Sequence, residues 1–341
     1  MSEGNTMSLC ESLDKLANQV LESTANRRYW LIRTSSGTLY PEFVDNNYVA
    51  LNRNSIPYSE LRSAKEEYGQ ANQTIKKVKD TLVERGIIGC LEETSNNPER
   101  ALSIAISQVY KFTYEIKKND IVVIPSENSD YISIGYFNEN YIADNSETNA
   151  SFSYTRKVTW LRSISKRLFD PYFYKLFTAH QAICDISEYA EYIERNISTQ
   201  FILDDQSHYV IAINSQNISA RYLFRFGNYI LDALADFVRV NQLDIDVDAI
   251  QLSVNVNSPG KIDFKSSVKV GILTTMFTSA ILGGCYIPKY ISDNDLSIGT
   301  VLEYIHNFKN DNSERIEELE RLMNSLEAQN IEESYDIIER E

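Results

Sequence analysis

Five short segments between residues 29 and 165 most constrain what this chain can fold into. Each is rich in β-branched and aromatic residues, and Gly, Asn, Pro and Ser residues separate them, which is typical of β-strands. They read YWLIR, YVALN, DIVVIP, YISIGYF and RKVTWLRSI. Apolar residues tend to recur at every second position, so we expect a closed or nearly closed small barrel. The predicted core residues are Trp30, Val49, Leu51, Ile121, Val123, Ile134 and Val158.

Two stretches with helical periodicity interrupt these strands and make the first half of the chain α+β rather than all-β. The first is SELRSAKEEYGQANQTIKKVKDTLVERG, where Gly86 suits a helix C-terminus. In the second, NPERALSIAISQVYKFTYEI, Asn97 can cap the helix and Pro98 lies in its first turn. Strands and helices together predict a β-rich α+β barrel domain over residues 26–170.

The remaining chain predicts a second, smaller α+β domain with helical segments around it. A strand, HYVIAIN, precedes the amphipathic helix ARYLFRFGNYILDALADFVRVN, and the strands IQLSVNVN and KIDFKSS precede an apolar helix. This order is β-α-β-β-α, again an α+β arrangement. The expected organisation is an N-terminal helix over 1–25, connecting helices over 171–200, the small α+β domain over 201–292 and an acidic helical tail over 293–341.

Charge and cysteine usage exclude several classes of function. The formal net charge is −15 over 341 residues. Proteins that wrap duplex DNA are usually basic, so we do not expect extensive non-specific DNA binding. The four cysteines are far apart with no C-x-x-C pair, and the three histidines are scattered. We therefore expect neither a disulfide framework nor a metal site, and no cofactor. The N-terminal residues lack the long apolar run of a signal peptide, which predicts a cytoplasmic protein.

The apolar stretch Val270–Pro288 has 19 residues, close to the roughly 20 that span a bilayer as a helix. It also holds threonines, a serine and glycines, which favour a buried core helix. A membrane-acting effector that uses this helix is the alternative.

The C-terminal segment has a short apolar seam at 3-4-3 spacing, formed by Ile316, Leu319, Met323 and Leu326. A seam of under two heptads is marginal as an autonomous coiled coil. Docking on its own protein and association with a second copy or a partner protein both remain open.

The order of motifs in the first half resembles the PUA-like or EVE-like domain at the N-terminus of some Mrr-type restriction endonucleases and other bacterial defence proteins. YWLIRTSSG precedes YVALN, a helix follows, and then come Asn119–Asp120 before IVVIP, an IG strand and RKVTWL. The resemblance covers roughly residues 28–165 and implies a small barrel whose aromatic pocket holds a base, often modified or flipped.

The resemblance also implies which residues would contact a ligand. Trp30 and Arg33 are the matching positions on the first strand. Relatives usually have a glycine-tryptophan pair after the second strand, where this chain has Asn52–Arg53, and Tyr58 is the aromatic that can substitute. Trp160 completes the predicted ligand-binding set. Core packing is the alternative for both tryptophans, as is a salt bridge for Arg33.

A basic patch and a carboxylate-x-lysine motif supply the other candidate residues. Arg156, Lys157 and Arg162 are predicted phosphate contacts. Asp263 and Lys265 form D-x-K, which a metal-dependent PD-(D/E)xK nuclease would use, although strand alternation predicts that both point outward to solvent. No P-loop, dinucleotide-binding or nucleophile-elbow motif occurs. We therefore expect a non-enzymatic protein that senses a nucleotide or nucleic acid in bacterial antiviral defence, with the nuclease as an alternative.

Overall fold

The computed structural model describes residues 7–23, 27–87, 97–141, 152–178, 181–215, 217–255, 260–281, 283, 291 and 295–331. The chain forms two compact units. The half-barrel unit is Arg27–Tyr189, and the second unit joins the N-terminal helix to the chain from Ala190 onward. The predicted α+β class with a β-rich, barrel-like domain is confirmed.

Eleven strands and ten α-helices are defined within the described residues. The strands are β1 Tyr29–Ile32, β2 Tyr48–Leu51, β3 Ile121–Pro125, β4 Tyr131–Phe137, β5 Tyr154–Ser165, β6 Ile183–Asp185, β7 Gln200–Leu203, β8 Gln206–Ile213, β9 Gln251–Asn255, β10 Gly260–Ser267 and β11 Ala328–Asn330. The helices are α1 Leu9–Ser23, α2 Tyr40–Asp45, α3 Tyr58–Tyr68, α4 Ala71–Glu84, α5 Pro98–Tyr110, α6 Ala190–Ile197, α7 Ala220–Val240, α8 Val268–Ile281, α9 Leu296–Asp311 and α10 Ser313–Leu326. A π-helical turn, Lys111–Glu115, follows α5, and a 3₁₀ helix spans Pro171–Thr178.

The half-barrel unit is built on one curled six-stranded sheet with the order β2-β5-β4-β3-β1-β6. The pair β1–β3 is parallel, and the other neighbours are antiparallel. All seven predicted core residues are buried. These seven residues are divided between the two faces of the sheet. In β3, Val122 and Ile124 point into the main cluster, whereas the predicted core residues Ile121 and Val123 point to the opposite face.

Two local features of this unit follow from single residues. The long helix predicted after β2 is divided into α3 and α4 at Gly69, whose φ of +70° ends the first helix. Asn97 caps α5 as expected, because its side chain accepts a hydrogen bond from the backbone N–H of Arg100 at 3.1 Å.

The second unit contains the predicted β-α-β-β-α order as β8, α7, β9, β10 and α8. Its sheet has the order β11-β8-β10-β9, and β7 also pairs with β8. β7 pairs with the first half of β8 and β11 with its second half, so these two short strands follow one another along the same edge. Side chains on one face of β8 and β10 join a large apolar cluster with α7, α8 and α9. Helix α6 contacts the other face, which carries Asp263.

Helix α8 is buried as expected, and its hydroxyls bond within the helix. Thr274 Oγ1 donates to the carbonyl of Val270 at 2.8 Å, and Thr275 Oγ1 donates to that of Gly271 at 2.7 Å. Within the described part of the chain, no helix is long and apolar enough to cross a membrane. Residues 284–288 of the predicted apolar stretch lie outside the described residues.

The N-terminal helix and the C-terminal segment were predicted to lie outside the small α+β domain. Both instead pack their apolar residues in the core of the second unit. Leu9, Leu13, Leu16 and Val20 of α1 are buried in the same cluster as α8 and α9. Ile316, Leu319 and Leu326 of α10 are buried there too, and Met323 is partly buried against them. The chain from α9 to β11 is therefore part of this unit's core, and α10 docks on its own unit.

Candidate functional site

Trp30 lies in the core of the half-barrel unit. Its side chain is 0% exposed, and Nε1 donates to Asp120 Oδ2 at 2.9 Å. The guanidinium of Arg28 lies 4.3 Å from the ring centroid. Asp120 also accepts from the backbone N–H of Lys117 at 2.9 Å. In this conformation a ligand cannot stack on Trp30, because the indole is already enclosed.

Arg33 has different neighbours from Trp30. It follows the end of β1, is partly buried, and its backbone N–H donates to the carbonyl of Ala182 at 2.9 Å. Burial raises the pKa of the nearby Cys184 thiol, and the positive charges of Lys111 and Arg33 oppose that rise. A joint site of Trp30 and Arg33 stays a prediction, and the arginine that lies over the indole is Arg28.

The predicted basic patch is divided between the two faces of β5. Arg156 is buried, and its guanidinium donates to the carbonyls of Phe112 at 2.7 Å and Ile116 at 3.0 Å. Burial lowers its pKa to about 10. Arg156 is thus a structural residue and unsuited to contact phosphate. Lys157 is exposed and Arg162 is partly exposed, so a phosphate contact at these two residues stays a prediction.

Of two other predicted ligand residues, Trp160 lies within β5 and Arg53 follows β2. Trp160 is partly exposed, and its Nε1 donates to the carbonyl of Phe43 at 3.1 Å. A β-bulge beside it requires Gly135, since a Cβ there would lie 2.6 Å from the Thr159 carbonyl oxygen. Arg53 is partly buried and donates through Nη1 to the carbonyl of Asn52 at 2.9 Å, while its buried Nε has no hydrogen-bond partner among the described residues.

Tyr58 belongs to a cluster of aromatic side chains that sequence reasoning missed. We call it the tyrosine cluster, and it consists of Tyr58, Tyr110, Phe112, Tyr114, Tyr141 and Tyr154. The ring centroid of Tyr141 is 5.3 Å from that of Tyr58 and 6.2 Å from those of Phe112 and Tyr154. The ring of Tyr114 is 5.2 Å from that of Tyr110. Tyr58, Tyr114 and Tyr141 are partly exposed, so the cluster reaches the surface.

Burial dominates the electrostatics of the tyrosine cluster. It raises the pKa of Tyr141 to about 12 and raises the pKa values of Tyr114 and Tyr154 as well. Tyr154 donates to the carbonyl of Ile56 at 2.6 Å. The hydroxyl of Tyr114 is buried next to that of Tyr58, and this polar contact contributes to its raised pKa. Neutral tyrosine rings can stack on a planar ligand, and their hydroxyls can donate or accept hydrogen bonds.

The candidate residues Asp263 and Lys265 lie in the second unit on β10. The prediction that Asp263 points to solvent is wrong, because α6 covers this face of the sheet and leaves Asp263 only 2% exposed. Its Oδ2 accepts from Arg195 Nε at 2.8 Å and lies 2.9 Å from His208 Nδ1. Lys265 is partly exposed. A phosphodiester cannot reach Asp263 in this conformation, which argues against the nuclease alternative.

Comparisons with known proteins reach only the half-barrel unit. A family model described as "Domain of unknown function (DUF8426)" matches residues 30–183. This range extends past the predicted boundary at residue 170 and ends within β6, which agrees with the extent of the six-stranded sheet. No curated protein and no solved structure matches the chain.

Proposed function

We propose that the half-barrel unit binds a nucleobase-containing ligand, either a nucleotide or single-stranded nucleic acid, at the tyrosine cluster. The observation that carries this proposal is the set of partly exposed aromatic rings of Tyr58, Tyr114 and Tyr141. The hydroxyls of Tyr58 and Tyr114 lie next to each other, so a ligand atom can bond to them in place of their mutual contact. Such a hydrogen bond contributes about 0.5–1.5 kcal/mol.

The partly exposed rings supply the second part of the argument. Stacking of a base on an aromatic side chain contributes about 1–3 kcal/mol. Tyr58 and Tyr141 offer such rings at the surface, and they come from separate elements, so a planar ligand would contact both α3 and the chain after β4. The tyrosines are uncharged at neutral pH, since a tyrosine hydroxyl ordinarily ionises near pH 10, and burial raises the pKa values of Tyr114 and Tyr141 further. They would not repel a phosphate group.

Positive charge near the cluster suits a phosphate-bearing ligand. Arg62 is exposed on α3 and acts electrostatically on both Tyr58 and Tyr114. It is paired with Glu66 at 2.8 Å, an exposed i,i+4 pair that is weak and can be exchanged for a phosphate. The resemblance to bacterial defence proteins makes antiviral defence the proposed setting of this binding.

The test is fluorescence anisotropy of the full chain with a labelled short single-stranded oligonucleotide, with mononucleotides as competitors. Tyr114→Phe removes the hydroxyl and keeps the ring. We expect it to weaken binding about 2- to 10-fold, in line with one lost hydrogen bond. A tyrosine cluster with a purely structural role would lose stability in this variant without a change in binding.

A matched pair of variants tests the stacking surface. Tyr141→Leu removes a ring of the tyrosine cluster, whereas Tyr131→Leu removes a tyrosine that is 55% exposed at the start of β4. We expect Tyr131→Leu to bind the oligonucleotide as tightly as the wild-type chain does, and Tyr141→Leu to bind it more weakly. If the wild-type chain binds neither the oligonucleotide nor any mononucleotide, the proposal fails.

A further inference from the structure

Four polar side chains of the second unit meet on the sheet face that α6 covers. Glu191 and Arg195 come from α6, His208 from β8 and Asp263 from β10. One potential ligand atom from each of Glu191, His208 and Asp263 lies within 4.8 Å of the others. The three residues are far apart in sequence, so only the packing of α6 on the sheet brings them together.

The inner half of this cluster is buried and incompletely hydrogen-bonded. The side chains of His208 and Asp263 are 1% and 3% exposed. The ring of Phe201 stacks on the imidazole with its centroid 4.4 Å away. Asp263 Oδ1 is buried and has no hydrogen-bond partner among the described residues. An unpaired carboxylate oxygen in this environment is costly, and it belongs to the same carboxylate that contacts His208 and Arg195 through Oδ2.

Arg195 bridges the two carboxylates in the outer half of the cluster. Arg195 donates through Nε to Asp263 and through Nη2 to Glu191. Two carboxylates this close would otherwise repel each other. The side chains of Arg195 and Glu191 are 22% and 32% exposed, so the guanidinium is on the solvent side of the cluster. The position between the two carboxylates therefore already holds a cation.

We infer that Glu191, His208 and Asp263 form a binding site for a divalent transition-metal ion of the Zn²⁺ class, which competes with the Arg195 guanidinium for the two carboxylates. One imidazole and two carboxylates are a donor set that suits Zn²⁺, with a water completing the coordination. The unpaired Asp263 Oδ1 supplies an acceptor that Arg195 does not use. Binding of the ion requires neutral His208 and releases Arg195 to solvent.

The test is calorimetric titration of the full chain with Zn²⁺. We expect one ion per chain, and about tenfold or greater tightening in Arg195→Gln, since that variant removes the competing cation. Glu191→Gln keeps the fold because it changes only the solvent-side carboxylate, and it should weaken binding by a similar factor. Asp246→Asn is the control, since Asp246 is an exposed acid outside the cluster.

Two results would overturn the inference. One is the absence of Zn²⁺ uptake by both the wild-type chain and Arg195→Gln, which would make the cluster an internal ion network. The other is uptake that Glu191→Gln and Asp246→Asn affect equally, which would place the ion elsewhere. Circular dichroism of each variant confirms that the fold is retained.

Discussion

Replacing Trp30 by Phe tests whether the indole is a structural residue or a ligand platform. The substitution keeps most of the ring volume but removes Nε1, which donates to Asp120 at 2.9 Å. Asp120 keeps two other donors, the backbone N–H groups of Lys117 at 2.9 Å and Arg28 at 3.2 Å. The variant thus isolates one buried hydrogen bond to a carboxylate.

The expected cost follows from these contacts. A hydrogen bond to a charged group contributes about 1.5–3 kcal/mol. The guanidinium of Arg28 over the indole adds about 0.5–1 kcal/mol, because a phenyl ring is a weaker cation–π partner. We therefore expect Trp30→Phe to lower the free energy of unfolding of the half-barrel unit by about 2–4 kcal/mol.

The two tryptophans of the chain make this measurement selective. Trp30 and Trp160 both lie in the half-barrel unit, so tryptophan fluorescence during denaturant unfolding follows that unit alone. Trp160 remains as the reporter in the variant. Asp120→Asn and the double variant complete a cycle, which should give a coupling free energy of about 1 kcal/mol or more between the two side chains.

A loss below about 0.5 kcal/mol for Trp30→Phe, or additive effects in the cycle, would refute this reasoning. It would show that the indole–carboxylate bond does not support the fold. A role for Trp30 in ligand binding would then have to be reconsidered, with the ring turned away from Asp120.

Three further predictions concern other parts of the molecule. Asp263→Asn should destabilise the second unit by about 2–4 kcal/mol, because it removes the buried partner of Arg195; a neutral effect in thermal unfolding followed by circular dichroism would contradict the buried ion pair. Gly271→Ala should destabilise the same unit, since its Cβ would lie 2.2 Å from Ser207 Cβ. A midpoint of thermal unfolding equal to that of the wild-type chain would show that α8 and β8 can move apart. Because the pKa of Tyr141 is raised to about 12, the unfolded chain ionises first as pH rises from 10, and the half-barrel unit should lose stability between pH 10 and 12. Tyr141→Phe should make that loss shallower in fluorescence-monitored unfolding.

Most of the fold could be predicted because local patterns specify it. The five strands with β-branched and aromatic residues were found, and so was the order of elements in the second unit. The strand β6 was missed because it has three residues, ICD, and pairs with β1 far away in sequence. Local periodicity carries no information about such a pairing.

The candidate site was harder to predict because its residues come together only in the folded chain. The rule that positions i and i+2 of a strand share a face favours Arg28 over Arg33 as the neighbour of Trp30, and this signal was available in the sequence. Asp263 was misplaced because alternation predicts an exposed face only where no other element covers the sheet. The tyrosine cluster draws on residues 58 to 154, and nothing in their spacing marks them as neighbours.

The position of α1 has a consequence for the order of events during synthesis. The ribosome releases α1 before the half-barrel unit, and the remainder of the second unit only after the whole half-barrel unit has emerged. Until then Leu9, Leu13 and Leu16 have none of the neighbours that bury them in the finished protein. The half-barrel unit can complete its sheet from continuous chain, whereas the second unit must wait for both of its pieces. A nascent chain therefore carries an exposed apolar helix ahead of the half-barrel unit, and such exposed apolar surface is prone to aggregation until the rest of the second unit emerges.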